Sequence, residues 1–257
     1  MTKLVGILNV TPDSFSDGGK FNSLQSALDQ TKKMIAEGAD VIDVGAESTR
    51  PKSIPLSAKE EWARLEKILP AVISEAKKSP KKVLVSIDSY HFETIKKAYD
   101  LGVDIVNDVS GLIDERIVEF IAEKNITTIL MHNLAIHANP DLVINPHLNI
   151  NKEILNWAAK KISDLEKKGV KKSQLIFDPG IGFAKDAAQS IRILKNIDAY
   201  RELGLPLYVG HSKKSFLDAL HIAGDRAEKT LEISRFLIEK NVEFIRIHDV
   251  GLHLRLI

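Results

Sequence analysis

Short apolar runs recur along the chain, and each of them ends in polar residues. Eight such runs lie at 4–10, 40–45, 82–88, 104–111, 126–132, 174–180, 206–212 and 243–250. Near-continuous runs of Val, Ile and Leu of this length are typical of strands in a parallel sheet that is buried on both faces. The pattern therefore predicts eight parallel strands.

Amphipathic segments separate these runs. They lie at 23–37, 57–77, 90–100, 114–124, 152–168, 186–201 and 226–240. Strands and helices that alternate in this way through 257 residues predict a single (β/α)8 TIM barrel of the α/β class. A doubly wound sheet is the second choice, because it usually has fewer strands. No linker or change in composition marks a boundary, so the predicted domain is 1–257.

Polar side chains end all eight predicted strands. They are Asn9, Asp43, Asp88, Asn107, His132, Asp178, His211 with Ser212, and Arg246 with His248. A single polar residue at such a position can equally be the N-cap of the next helix. In a (β/α)8 barrel, however, the carboxyl ends of the strands meet at the face that carries the active site. Clustered carboxylates there require cations or hydrogen-bond donors, so we expect a donor-rich ligand or a metal.

Composition narrows the possible partners. The chain is 44% hydrophobic and 28% charged with a net charge of +1, which gives no basic field for a nucleic acid. It has no cysteine, which excludes disulfides and thiolate chemistry. No apolar stretch approaches the ~20 residues that span a bilayer, and the first residues lack a signal-peptide pattern. We therefore expect no membrane partner and a cytoplasmic location.

The polar strand ends also form specific motifs. In chain order they read "NVTPDSFSDGG", "DVGAESTRP", "SIDS", "NDVSG", "LMH", "DPGIGFAK", "GHSKKSF" and "RIHDV". Together they resemble the dihydropteroate synthase family of folate biosynthesis, and they cover the chain from Gly6 to Val250. The first two motifs are long enough to be specific by themselves. "NDVSG" and "SIDS" are weak when taken alone.

The resemblance implies the condensation of a dihydropterin methyl diphosphate with p-aminobenzoate, which yields 7,8-dihydropteroate and pyrophosphate. It assigns the pterin ring to Asp88, Asn107, Asp178 and Lys214. A carboxylate can accept two parallel N–H donors from the amino-oxo edge of the ring, and Asn supplies both a donor and an acceptor. The alternatives are an N-cap for Asp178, a turn role for Asn107 and an ordinary helix-start lysine for Lys214.

The resemblance also assigns the leaving diphosphate. Arg246 and His248 match its anion-binding pair, and they share one face of the last strand because they are two residues apart. The alternative is a structural Arg–Asp pair, for which Asp249 is one candidate partner. Asn9 matches the residue that approaches a magnesium ion (Mg²⁺) on the diphosphate. Mg²⁺ takes few protein ligands when phosphate oxygens and waters are available.

The remaining motif residues are implied to bind p-aminobenzoate. They are Phe15, Thr49, Arg50, Pro51, Phe183 and Ser212. In the family, loops 9–19 and 45–51 close over the site, and exclusion of water protects a reactive intermediate. In the implied reaction, pyrophosphate leaves first and the aniline nitrogen then attacks. The resemblance gives Asp88, Arg50 and Lys214 catalytic roles in it. A plainer role for Phe15 is to anchor its loop on the barrel rim.

Several positions depart from the family pattern. Ala46 and Lys213 stand where Gly and Arg are usual, and Asn133 stands where a pterin-packing Met is common. The segment 131–150 is unusual, and we assign no role to its His137 and His147. The chain ends at Ile257, where the family has a longer helix at a dimer surface. We expect a homodimer and inhibition by sulfonamides, and a larger folate-pathway fusion stays open.

Two other functions share the motifs in part. A methyltetrahydrofolate methyltransferase uses the same barrel and pterin site but needs neither the 9–19 loop nor the Arg246–His248 pair. A catalytically silent pterin-binding homologue would keep the pocket without the chemistry. The glycines of "GIGFAK" at 180–185 do not complete a dinucleotide-binding pattern.

Overall fold

The computed structural model describes residues 1–11, 19–49, 53–136 and 142–257, without the side chains of residues 19–23. It confirms the predicted barrel of eight parallel strands. The strands are β1 Lys3–Asn9, β2 Val41–Gly45, β3 Leu84–Asp88, β4 Ile105–Asp108, β5 Thr127–Met131, β6 Leu175–Asp178, β7 Tyr208–Val209 and β8 Phe244–Ile247. Their order is β6-β5-β4-β3-β2-β1-β8-β7. An isolated parallel bridge between Phe177 and Leu207 joins β6 to β7.

Helices follow the strands around the outside of the barrel. They are α1 Gly19–Ala36, α2 Ala58–Leu65, α3 Ile68–Lys78, α4 Phe92–Leu101, α5 Glu115–Lys124, α6 Ile150–Lys167, α7 Ala187–Lys195, α8 Arg226–Glu239 and α9 Val250–His253. Within the described parts of the chain, no helix is long and apolar enough to cross a membrane.

The predicted helix over 57–77 is two helices. Pro70 causes the break, because it has no N–H to donate to the carbonyl four residues earlier and its ring clashes with that carbonyl. The first helix therefore ends at Leu65, and Pro70 lies in the first turn of α3, where proline is tolerated. Ser57 and Glu60 form a capping box that starts α2.

Two other predicted elements are shorter than expected. The helix predicted over 186–201 stops at Lys195, where the side chain of Asn196 donates to the carbonyl of Arg192 at 2.8 Å, and a 3₁₀ turn follows. The strand predicted over 206–212 keeps only Tyr208 and Val209. Pro206 before it has no N–H for a ladder, although its carbonyl accepts from Phe177 at 2.9 Å.

Apolar side chains fill two layers. A small cluster occupies the barrel interior, and it consists of Val5, Val41, Ile105, Ile129, Ile176, Tyr208 and Phe244. The larger layer lies between the strands and the surrounding helices. Because the interior is packed, the polar residues near the carboxyl ends of the strands stand on an apolar floor.

Candidate active site

The carboxyl ends of β1 to β4 place four residues in one row. The register pairs Asn9 with Gly45, Gly45 with Asp88, and Asp88 with Asn107. Residues paired in this way share a face of the sheet, so the row brings together three predicted site residues. A Cβ on Gly45 would stand 3.2 Å from the Cβ of Asp88. The absence of a side chain at Gly45 therefore leaves room for the Asp88 carboxylate.

Arg246 on β8 joins two aspartates across this mouth. Its Nε lies 2.6 Å from Oδ2 of Asp43, and its Nη2 lies 2.7 Å from Oδ2 of Asp88. The side-chain amide of Asn107 donates to the same oxygen of Asp43 at 3.1 Å. A cation and an amide donor thus meet these clustered carboxylates, as the strand-end pattern leads us to expect.

Arg246 does form Arg–Asp pairs, but its partners are Asp43 and Asp88, and the suggested partner Asp249 is wrong. The carboxylate of Asp249 instead lies 2.7 Å from Nζ of Lys213. Lys213 has a positive φ of 56°, and this backbone turn directs its side chain to the end of β8. The lysine that replaces the usual arginine thus has an ion-pair role at the rim.

The shared guanidinium leaves an unequal charge balance. Burial raises the pKa of the Asp88 carboxyl to about 7 although Arg246 opposes the shift, and the carboxylate of Asp43 adds to it. Burial disfavours the charge on Arg246, but Asp43 and Asp88 hold the pKa of the guanidinium above its ordinary range. Two carboxylates with one cation favour a group that brings positive charge or donors into the mouth.

Asp178 ends β6 and is held by the turn that follows it. Its Oδ1 accepts from the backbone N–H of Gly180 at 2.7 Å, and the side chain is buried. Gly180 has a φ of +69°, and a Cβ there would lie 2.1 Å from the carbonyl oxygen of His132. Only glycine fits this position. Burial raises the pKa of Asp178, while the charge of Lys214 opposes the shift.

Lys214 lies against the same turn. Its Nζ donates to the carbonyl of Ile181 and stands 4.7 Å from the centre of the Phe183 ring. Burial lowers the pKa of Lys214 to about 8 although Asp178 opposes the shift. The resemblance assigns Lys214 to the pterin and Phe183 to p-aminobenzoate, so this contact lies where the two implied subsites meet.

Ser212 and His248 also contact each other. The Ser212 Oγ accepts from the backbone N–H of His248 at 3.2 Å and lies 2.9 Å from its Nδ1. With the ring hydrogen on Nδ1, His248 donates to the hydroxyl, and Ser212 keeps its own hydrogen for a substrate oxygen. The resemblance assigns these residues to different substrates, and the structure couples them.

Sequence reasoning missed a buried lysine behind Asp178. The Nζ of Lys185 lies 2.9 Å from Nδ1 of His132 and 2.7 Å from the carbonyl oxygen of Phe183. Burial lowers the pKa of Lys185 to about 7. Burial and the nearby Lys185 lower the pKa of His132 to about 2, so the ring is a neutral acceptor. The signal in the sequence is a lysine inside the "DPGIGFAK" motif rather than on a helix surface.

Some predicted residues fall outside the described ranges. Phe15, Arg50 and Pro51 are among them, as is His137. Thr49 is described at the end of its range and is half-buried.

Asn133 has a clear local role. Its side chain donates to the carbonyl of Val109 at 3.1 Å and accepts from the N–H of Ala135 at 3.1 Å. It therefore ties β5 to the end of β4 where a methionine would only pack. His147 is exposed and contributes its backbone N–H to Asn145.

The donor set fits Mg²⁺ only if the substrate supplies most of the ligands. Within the described ranges, no three His, Asp or Glu side chains form a group that could hold a metal ion. Asn9 ends β1 half-buried at the mouth, and its amide oxygen is the kind of hard ligand that Mg²⁺ accepts.

Comparison with known proteins places this geometry in a family. Residues 5–248 match the family model described as pterin binding enzyme. The dihydropteroate synthase of Streptococcus pyogenes serotype M6 is 37% identical over 252 residues, which are 96% of this chain and 90% of the relative.

Solved structures give the same result. The dihydropteroate synthase of Anaplasma phagocytophilum with bound 6-hydroxymethylpterin-monophosphate superposes with a TM-score of 0.89 at 36% identity, covering 99% of this chain and 96% of its own. The Xanthomonas albilineans dihydropteroate synthase with 4-aminobenzoic acid superposes with a TM-score of 0.88 at 27% identity, covering 99% and 90%.

Proposed function

The chain belongs to the family of pterin-binding enzymes and, within it, to the dihydropteroate synthases, and from that premise we propose how its residues divide the reaction. It is a transferase that condenses (7,8-dihydropterin-6-yl)methyl diphosphate with p-aminobenzoate to give 7,8-dihydropteroate and pyrophosphate. The observation that supports our assignment most strongly is Arg246 bound between Asp43 and Asp88 beside the Asn107 amide.

The pterin ring is bound by Asp178, Asp88, Asn107 and Lys214. One Asp178 oxygen already accepts from Gly180, so the carboxylate is held in place and can accept ring donors with its remaining lone pairs. Asn107 donates to Asp43 through its amide nitrogen, which leaves its amide oxygen to accept from the ring. Lys214 supplies a cation that offsets Asp178.

The diphosphate is bound by Arg246 and His248 from β8, with Asn9 on β1. The guanidinium is fixed by two carboxylates, and a fork with five N–H donors has further donors for phosphate oxygens. Asn9 would hold Mg²⁺ together with the diphosphate oxygens and waters, and the ion would neutralise the charge of the leaving group. This metal role is tested by activity with and without a chelator.

The bond from the pterin methylene to the diphosphate oxygen breaks first, and its electron pair leaves with pyrophosphate. The dihydropterin donates electrons to the cationic methylene, and the negative charge shared by Asp43 and Asp88 stabilises that cation. The aniline nitrogen then supplies the pair for the new C–N bond. The proton that the aniline nitrogen releases passes to pyrophosphate, the basic group formed in the first step.

The second substrate lies between the rim and the residues after β6 and β7. Phe183 offers its ring as an apolar wall, and the Ser212 hydroxyl, held by His248, is directed to the benzoate carboxylate. Thr49, Arg50, Pro51 and Phe15 complete this subsite in our proposal from the family motifs. Arg50 and Lys214 then act with Asp88 in the catalytic step.

Supplying both substrates with Mg²⁺ and measuring dihydropteroate and pyrophosphate tests the proposal. Neither rival is favoured, because the relatives and solved structures are dihydropteroate synthases. Release of pyrophosphate that depends on p-aminobenzoate is expected. Pterin binding without turnover would favour the silent homologue. A homodimer in the cytoplasm stays a prediction, and analytical ultracentrifugation tests its oligomeric part.

A further inference from the structure

Glu47 lies two residues after the end of β2, and only 3% of its side chain is exposed. Its Oε1 accepts from the hydroxyl of Tyr90 at 2.6 Å and from the backbone N–H of Leu56 at 3.3 Å. Its Oε2 lies 3.2 Å from Nε2 of His91. A carboxylate buried in this way is stabilised by the donors around it.

The bond to Leu56 fixes the base of a chain segment. Glu47 stands immediately before residues 48–55, and Leu56 stands immediately after them. Glu47, two residues before Thr49, is thus joined to Leu56, and this hydrogen bond fixes the separation of the two positions.

The other two partners connect this base to the strand that carries Asp88. Ser89, Tyr90 and His91 follow Asp88 in that order. The hydroxyl of Ser89 donates to Oε2 of the buried Glu61 on α2 at 2.8 Å, and it accepts from the N–H of His91 at 3.1 Å. The segment after β3 is therefore held from α2 and from Glu47.

We propose that Glu47 is a positioning residue for p-aminobenzoate, acting by holding Leu56 and the backbone beside Thr49 in fixed relation to the end of β3. This inference rests on the proposed function, because only that function gives Thr49 and Arg50 a substrate to meet. The carboxylate acts through its two oxygens: one joins the loop end to Tyr90, and the other faces His91. An amide cannot reproduce both, because one of its atoms donates.

The expected defect is selective. Removal of the carboxylate breaks the hydrogen bond between Glu47 and Leu56 but leaves Asp178, Asn107 and Lys214 unchanged. Glu47→Ala should raise the KM for p-aminobenzoate about ten-fold, the scale of one lost hydrogen bond to a charged group. Tyr90→Phe removes a single hydroxyl and should raise that KM by about three-fold. The Kd for the pterin diphosphate should stay within about two-fold for both variants.

Glu66→Gln is the matched control, because Glu66 is an exposed glutamate at the end of α2. It should leave both constants unchanged. Thermal unfolding of each variant identifies any loss of fold, and Tyr90→Phe carries the test if Glu47→Ala unfolds. Equal losses for both substrates, a fall in kcat with both KM values unchanged, or no change at all would overturn the positioning role.

Hydrogen exchange separates this inference from the proposed function. Glu47→Ala removes the acceptor and should speed exchange of the Leu56 amide relative to the native protein and to Glu66→Gln, whatever the enzyme catalyses. If the native protein forms no dihydropteroate, the proposed function fails, even where this exchange difference is found. If the native protein is active and Leu56 exchange does not change in Glu47→Ala, the inference fails alone.

Discussion

Arg246 and Asp88 stand 158 residues apart in the chain, and yet Nη2 of the arginine lies 2.7 Å from Oδ2 of the aspartate. The same guanidinium binds Asp43 through Nε. In our proposal this one cation holds two carboxylates in place beneath the pterin and also meets the diphosphate. Substitutions here should therefore separate a structural cost from a catalytic one.

Arg246→Ala should lower both stability and turnover. Removing one partner of a buried ion pair costs about 3–5 kcal/mol, because the remaining charge is left uncompensated. Adding Asp88→Asn to this variant should recover part of the free energy of unfolding without restoring turnover. Urea denaturation and product formation are the two measurements. Binding of a bare pterin should fall less than binding of the pterin diphosphate, and equal losses would contradict the diphosphate role.

Asp178→Asn should weaken pterin binding by more than about ten-fold, since a donor then faces the ring donors. The fold should persist, because the amide oxygen can still accept from the N–H of Gly180. Calorimetry with the pterin measures the change, and the exposed Asp29→Asn is the control. Unchanged affinity in Asp178→Asn would remove this residue from the ring site.

Arg50→Ala should keep the pterin affinity within a few-fold while turnover falls by about 10²-fold, the scale of a lost electrostatic contact at the reacting centre. The reason is that the pterin edge is met by strand ends, whereas Arg50 belongs to the second-substrate motif. Pterin affinity and steady-state turnover are measured on the same variant. A parallel loss of both would place Arg50 in the pterin pocket.

Lys185 should make stability depend on pH. Burial lowers its pKa from 10.5 to about 7, so between these values the unfolded chain binds more protons and stability rises with pH. Lys185→Met should lack this contribution, and the native protein should gain stability relative to the variant as the pH increases through that window. Urea titrations at several pH values measure it. The exposed Lys195→Met should follow the native protein, and a Lys185→Met curve parallel to the native one would refute the buried neutral lysine.

His91 should make stability fall as the pH rises, which is opposite to the effect of Lys185. The hydrogen bond to Glu47 raises the pKa of His91 above 6.5 although burial lowers it, and the charge of Glu61 adds to the rise. The stabilisation of the fold by His91 is therefore complete below pH 6.5 and is lost as the pH rises through the pKa of His91 in the folded state. The stability difference between the native protein and His91→Gln should shrink as the pH rises above 6.5. The exposed His147→Gln is the control, and a difference that stays constant would argue against the ion pair.

The barrel and most strand positions are predictable because buried parallel strands leave apolar runs that need no distant information. The row of Asn9, Asp88 and Asn107 follows from the same logic, since each lies at or near the carboxyl end of a strand. The break near Pro70 is also local, and the proline itself signals it.

The partners of the charged groups are not predictable in this way. Nothing near Arg246 in the chain indicates Asp43, which is 203 residues away. Lysines mostly lie at the surface, so Lys185 looks like a helix-start residue until its three-dimensional neighbours are known. The sequence likewise shows Glu47 only as part of a motif. Its contacts with Tyr90 and His91 depend on how close the ends of β2 and β3 lie in the fold.

The isolated bridge between Phe177 and Leu207 makes the β6–β7 junction a seam in the barrel wall. Asp178 lies beside it on one side, and Ser212 and Lys214 follow β7 on the other. A pterin bound by both Asp178 and Lys214 would contact each side of this seam. Pterin binding and the pairing of β6 with β7 would therefore be thermodynamically linked. Substitutions on α6 or α7 that weaken this pairing would then lower the pterin affinity in a mutational screen, although the substituted residues do not touch the pterin.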